Sequence, residues 1–285
     1  MKPFISLVAL LLCIHSLKAV PCNPNSISIE EASRKGLIKL VIKSKGGYTG
    51  EVIEMKIRNI SSRALNLILE AGRRLDSKTD TIQDILVTHE EEFFVSSGME
   101  KSLNVFGMCC QASNHAPDAK AIYTVGKMAD SALIKLALFI NKNNYYDNYT
   151  AQQAVWAISD KSSIGSIIHA DKKVQDEFRS YVSALTGRPV PSYDVEYMEG
   201  SGSAMGQATK IEGVFDYDLP VNCHATLGIY NSAGELVQLL FRDMAHEKGD
   251  HKLFYTFRVW KLPAGTYYAK LDAEGMPLKQ MEIQF

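Results

Sequence analysis

The sequence predicts a mainly β protein with α additions: an antiparallel β-sandwich carrying a helical segment, followed by a C-terminal immunoglobulin-like β-sandwich. Three observations carry this. Short β-branched and apolar runs alternate with turn residues along the first part of the chain, the pattern of an antiparallel sandwich. Helical spacing of apolar residues begins only after Pro117. A flexible stretch, Gly200-Ser201-Gly202-Ser203-Ala204, then separates a second set of strands from the first. With 285 residues, 46% of them hydrophobic, the chain is long enough for two units with their own cores. The expected layout is a signal peptide over 1–19, a sandwich with helices over 20–195, a linker over 196–206 and the immunoglobulin-like unit over 207–285.

After a loop at Pro21 to Asn25, Ser28 and Glu31 form a capping-box signature for a short helix that Gly36 ends. Leu37 to Ile42 is an apolar β-branched run, and Lys45-Gly46-Gly47-Tyr48 is a turn. From Val52 to Ile60 the apolar set Ile53, Met55 and Ile57 falls on one face, the half-buried strand pattern. Further strands are expected at Leu65–Leu69, Ile82–Thr88, Phe93–Val95 and Leu103–Phe106. Leu133, Leu136, Ala137 and Ile140 mark an amphipathic helix within Met128–Asn141. A second helix begins near Thr150 and includes Gln152 to Ile158, and a third lies within His169–Leu185. In the tail, strands at Gly213–Tyr217, Ala225–Tyr230, Leu236–Phe241, Leu253–Val259 and Lys279–Phe285 are punctuated by a hairpin turn at Asn231-Ser232-Ala233-Gly234.

The formal net charge of −1 gives no general case for nucleic acid or an anionic membrane surface. Met1-Lys2 followed by the apolar run Phe4–Leu17, with Ala19 as a small residue for cleavage, reads as a signal peptide. No second run of membrane length follows, so a secreted or cell-surface protein without a stable membrane span is expected. In that compartment Cys22, Cys109, Cys110 and Cys223 are able to pair. Adjacent Cys109 and Cys110 rarely bond to each other. Cys22 with one of them is the natural disulfide, Cys22 and Cys110 being the candidates, and Cys223 reads as a buried free thiol. No Cys/His spacing suggests a zinc site, and no metal or cofactor is expected.

The run Ile229-Tyr230-Asn231, then Gly234-Glu235-Leu236-Val237 and Leu262-Pro263-Ala264-Gly265-Thr266-Tyr267-Tyr268, resembles C-terminal immunoglobulin-like units of secreted Bacteroidetes proteins. Those units are similar to type IX secretion sorting domains and to the immunoglobulin-like domain of the flagellar hook-capping protein. The resemblance covers roughly 209–285 and implies recognition by export machinery through this domain. The central stretch, Met108-Cys109 followed by Ala151-Gln152-Gln153-Ala154-Val155-Trp156, resembles the thioester domains of bacterial surface adhesins. There a Cys side chain is acylated by a Gln, and the pattern is a bulky residue before Cys and a later Thr-Gln-x-Ala-Ile/Val-Trp. Ala151 stands where Thr is the rule. The resemblance implies a thioester between Cys109 and Gln152, with Phe106 and Trp156 as its apolar shield. It also implies covalent attachment to an amine on a surface protein or glycan.

Three functions follow in order. The first is a non-enzymatic surface interaction or adhesion protein, attaching through Cys109 and Gln152. The second is a structural or envelope protein in which these residues only pack, since Cys is among the most buried residue types. The third is a cysteine hydrolase using Cys109 or Cys110 with His115 or His169. Asp216-x-Asp218 and His89-Glu90-Glu91-Glu92 read as solvated strand ends, His246, Lys248 and His251 as a charged loop, and Tyr145, Tyr146 and Tyr149 as an aromatic cluster beside Gln152.

Overall fold

The computed structural model describes residues 26–198 and 206–285. The expected signal peptide, Cys22 and the glycine-serine stretch lie outside these residues. The molecule is mainly β with helical additions. The N-terminal unit opens with a short strand β1 (Ile27–Ser28) and helix α1 (Ile29–Arg34). Ser28 caps that helix by accepting the Glu31 N–H at 3.1 Å, as the capping-box signature predicts. Strands β2 (Ile38–Ser44), β3 (Glu51–Asn59), β4 (Leu65–Leu69), β5 (Arg73–Ser77), β6 (Ile85–Val87), β7 (Glu91–Val95), β8 (Glu100–Cys109) and β9 (Ile122–Met128) follow.

The larger sheet of this unit closes on itself as a barrel in the order β2-β3-β8-β6-β5-β9, every pair antiparallel. Beside it lies a three-stranded sheet, β1-β4-β7. Closure depends on β5 and β9, which pair with each other and complete the ring between β6 and β2. Neither is among the strands the sequence announces. In β5 only Leu75 is a buried apolar residue, while Arg73 and Arg74 are held by Glu70 and Asp84. Inside the barrel Ile53, Met55, Ile57, Leu75, Ile85, Val87, Val105 and Cys109 form one core with Trp156.

A second core packs against the outside of the barrel, built by α2 (Ser131–Lys142), α3 (Tyr149–Ser159) and α4 (Lys172–Thr186). Each helix has a side-chain N-cap: Asp130, Asn148 and Asp171. Gly187, at φ 72°, ends α4 in the left-handed conformation that an L side chain adopts only with strain.

The C-terminal unit is a sandwich of two sheets. One contains β10 (Tyr193–Met198), β11 (Gln207–Leu219) and β14 (Gly249–Arg258). The other has the order β13-β12-β15-β16, with β12 Cys223–Asn231, β13 Leu236–His246, β15 Thr266–Ala273 and β16 Met276–Gln284. The expected hairpin turn joins β12 to β13. Within the linker expected over 196–206, Glu196, Tyr197 and Met198 are strand residues paired with β11, and just before them Tyr193 and Val195 enter the sandwich core. The expected charged loop is also ordered differently: His246 and His251 lie on β13 and β14, packed around the Tyr217 ring. Arg179, 2% exposed, joins the units: it donates to the carbonyls of Ile167 and Gly165 at 2.9 and 2.8 Å and pairs with Asp194 at 2.7 Å.

Candidate functional site

Cys109 is the last residue of β8 and Cys110 the first beyond it, and their side chains enter different cores. Cys109 turns into the barrel core, whereas Cys110 turns outward into the helical core. Cys109, Cys110 and Cys223 are all buried free thiols. Cys22, the expected partner of Cys110, lies outside the described residues.

Asn148 starts α3 by accepting the Thr150 N–H at 2.8 Å. That phase places Gln152 and Trp156, four residues apart and so on one helix face, against the open side of Cys109. Ala151, Ala154, Val155 and Ala157 face the other helices. The Gln152 amide lies along the Cys109 main chain. Its Oε1 accepts the Cys109 N–H at 2.8 Å and its Nε2 donates to the Cys109 carbonyl at 2.8 Å. Gln152 and Cys109 are both fully buried. The Cys109 N–H is shared, since it also donates to the Tyr48 carbonyl at 3.1 Å.

Trp156 takes the expected place as core cover, fully buried, with its indole N–H donating to Gln83 Oε1 at 3.3 Å. Phe106 does not shield the pair. Three positions before Cys109 on β8, it faces the other side of the sheet, where its ring packs on Tyr146 and His89 at 4.6 and 5.8 Å. The second aromatic cover is Tyr48, whose ring lies 6.2 Å from Trp156 and 5.7 Å from Tyr149. Of the aromatic cluster beside Gln152, Tyr149 meets Tyr48, and Tyr145 packs on Phe178 at 5.0 Å.

Two polar residues central to the site carry no signal in the sequence. Gln83, fully buried, accepts from Trp156 and from the Tyr123 hydroxyl, the latter through its main-chain carbonyl at 2.9 Å. Its amide donates to the Asn114 carbonyl at 3.2 Å. Asp84 holds the turn after the cysteines: Gln111 Nε2 donates to it at 2.7 Å, and Arg74 pairs with it at 2.5 Å. Asp160, capping α3, accepts the Ala112 N–H at 2.7 Å. A single Gln or Asp within an apolar run has no periodicity to mark it.

Burial pushes the Cys109 thiol well up from its ordinary value, with Cys110 adding to the effect. Burial also raises Cys110 to about 12, partly offset by the Arg74 cation. Neither sulfur is therefore a thiolate at neutral pH. His115 is exposed beside Ile82, and His169 Nδ1 accepts the Asp171 N–H at 2.9 Å at the start of α4. Among the described residues neither histidine hydrogen-bonds a cysteine. Among the described residues no group of three or more His, Cys, Asp or Glu is placed to hold a metal ion. No described helix is long and apolar enough to cross a membrane.

The carbonyl oxygen of Gln152 thus has a main-chain donor at 2.8 Å from the cysteine residue itself, and both residues are fully buried. No family model matches the chain, and no curated protein matches it. Among solved structures a transglutaminase from red sea bream aligns over 90% of this chain and 33% of its own, with 9% sequence identity and a TM-score of 0.19. An overlap of that quality does not define a common fold.

Proposed function

We propose that this is an exported, non-enzymatic surface interaction protein of the adhesion type, attaching through an internal thioester between Cys109 and Gln152. One observation carries the reading: residues 43 positions apart meet with the Gln152 amide seated on the Cys109 main chain, both fully buried. In the step, Cys109 Sγ bonds to Gln152 Cδ. The developing oxyanion at Oε1 is held by the Cys109 N–H. The Cδ–Nε2 bond breaks, and the thiol proton leaves on the departing ammonia. A primary amine on a surface protein or glycan then takes the acyl group as an amide and returns the thiol. The C-terminal sandwich is the part that export machinery would recognise.

A second reading is favoured by two specific features. Both ends of the Gln152 amide are hydrogen-bonded, and burial holds the Cys109 thiol protonated. On that reading the pair is a clamp between barrel and helix in a structural or envelope protein. Intact mass of the unreduced mature protein separates the two. A thioester lowers the mass by one ammonia, and a disulfide lowers it by two hydrogens. Cys109→Ala and Gln152→Ala are each expected to abolish the ammonia loss, with Cys110→Ala leaving it in place. A full mass in the wild type overturns the covalent reading and leaves the clamp.

A further inference from the structure

We infer that the C-terminal sandwich associates with a second copy of this chain through the open edge of β14, strand to strand and antiparallel about Phe254. Pairing there does not depend on the chemistry at Cys109. A sheet edge carries unpaired main-chain groups, and natural sandwiches blunt it with bulges, proline or short strands. Three of the four edge strands of this sandwich are blunted in that way. The register of β10 shifts between Glu196 and Tyr197. β13 shifts three times along β12 and carries Asp243 at φ 47°. β16 holds Pro277 beside a shift opposite Leu271 and Asp272. β14 has none of these: it pairs with β11 over ten successive positions, from Leu219–Gly249 to Lys210–Arg258, without a shift.

Strand alternation fixes what this edge presents. Val259 N–H donates to Thr209 O at 2.9 Å, so the odd-numbered residues of β14 turn their main chain towards β11. Asp250, Lys252, Phe254, Thr256 and Arg258 turn theirs outward, and all of them are exposed. The Gln238 amide confirms the direction by donating to Thr256 O at 3.1 Å, which leaves that carbonyl a second lone pair. Among the described residues no strand pairs with this edge. Phe254, at 78%, is the most exposed large apolar side chain among the described residues.

The charges name the occupant. Within the chain, like charges stand directly opposite each other: Asp250 faces Asp218, and Arg258 faces Lys210, a cross-strand arrangement that destabilises. Glu196 and Glu212 hold Lys210, whereas Asp250, Lys252 and Arg258 have no ion-pair partner among the described residues. A second β14 laid antiparallel, with Phe254 on Phe254, sets Asp250 opposite Arg258 of the second copy and Arg258 opposite its Asp250. Lys252 then meets Thr256. Each outward N–H and C=O faces its complement on the other strand, and the two Phe254 side chains meet at the twofold axis of an isologous contact. A shift of two residues in either direction separates Asp250 from Arg258, and in one direction sets Lys252 against Arg258.

The test is sedimentation equilibrium of the mature chain under reducing conditions, so that no intermolecular disulfide counts. The wild type is expected to dimerise with a Kd of about 10–100 µM, the weak end for an interface built on one strand pair. Asp250→Arg and Arg258→Asp each place like charges at both ends of the pairing, and each is expected to weaken it about tenfold. Mixed one to one, the two variants face each other with opposite charges at both ends and are expected to form a heterodimer of wild-type strength. A wild type that stays monomeric at about 1 mM overturns the pairing, and so does one that takes up only a foreign extended strand at this edge. Dimerisation that neither substitution weakens, or a mixture no tighter than the single variants, overturns it as well. Should either variant not fold, Phe254→Lys in the exposed centre of the edge decides instead: weaker dimerisation supports the pairing, and unchanged dimerisation overturns it.

Discussion

Gln152 and Cys109 exchange two hydrogen bonds of 2.8 Å, side-chain amide to main chain, in the way a neighbouring strand residue would. The helix residue thus completes the edge of β8 where no strand follows. Gln152→Ala removes the donor to a buried carbonyl, and a loss of about 1–3 kcal/mol in urea unfolding is expected. Gln152→Glu should lose at least as much at neutral pH, because a carboxylate cannot donate to the Cys109 carbonyl. Its stability should partly recover as the pH is lowered and the side chain regains a proton.

The pH profile should fall at the alkaline end. Cys110 has its folded value raised to about 12 by burial, above an ordinary value of 9.0. Below pH 9 the thiol is neutral in both states and contributes no pH dependence. Above it the unfolded chain releases a proton that the folded chain retains, so stability declines up to about pH 12. The expected slope from this group is about 1.4 kcal/mol per pH unit. Cys110→Ala should flatten the decline, measured by urea titration across that range.

Trp156 fills the barrel and donates to Gln83, which is itself fully buried. Trp156→Phe should cost about 1–3 kcal/mol, through the lost donor. Trp156→Ala should cost about 3–5 kcal/mol, since it adds a cavity. Gln83→Leu in the Trp156→Phe background should cost less than Gln83→Leu alone, because no indole donor is then stranded, the remaining cost being the Asn114 carbonyl that loses its donor. A double-mutant cycle reads this directly.

Arg179 serves three main-chain carbonyls and Asp194 from a buried position. Arg179→Met keeps the packing of the stem but leaves the Gly165 and Ile167 carbonyls unpaired. A loss of about 2–3 kcal/mol is expected, with increased proteolysis around Pro189 and Pro191, where the helices meet the C-terminal sandwich.

Much of the local structure is legible along the chain. The alternation in β3, the capping serine of α1 and the apolar stripe of α2 all name their elements before any fold is known. Gln152 and Trp156 are equally legible as one helix face. Phe106 shows where such reading stops. Its place near Cys109 in the chain suggests a shield, yet strand alternation sends it to the other side of the sheet, and a loop residue, Tyr48, takes the cover.

The sequence by itself determined the mainly β class, the helical insertion and the hairpin of the tail. These follow from periodicity and turn chemistry, which depend on neighbours a few positions away. Only the tertiary structure decided that the first sheet closes into a barrel through the polar strand β5, that Gln83 and Asp84 anchor the site, and that β10 crosses into the second sandwich. Those outcomes depend on which distant edges and buried polar groups find partners. That information belongs to pairs of residues far apart in the chain, and no single stretch contains it.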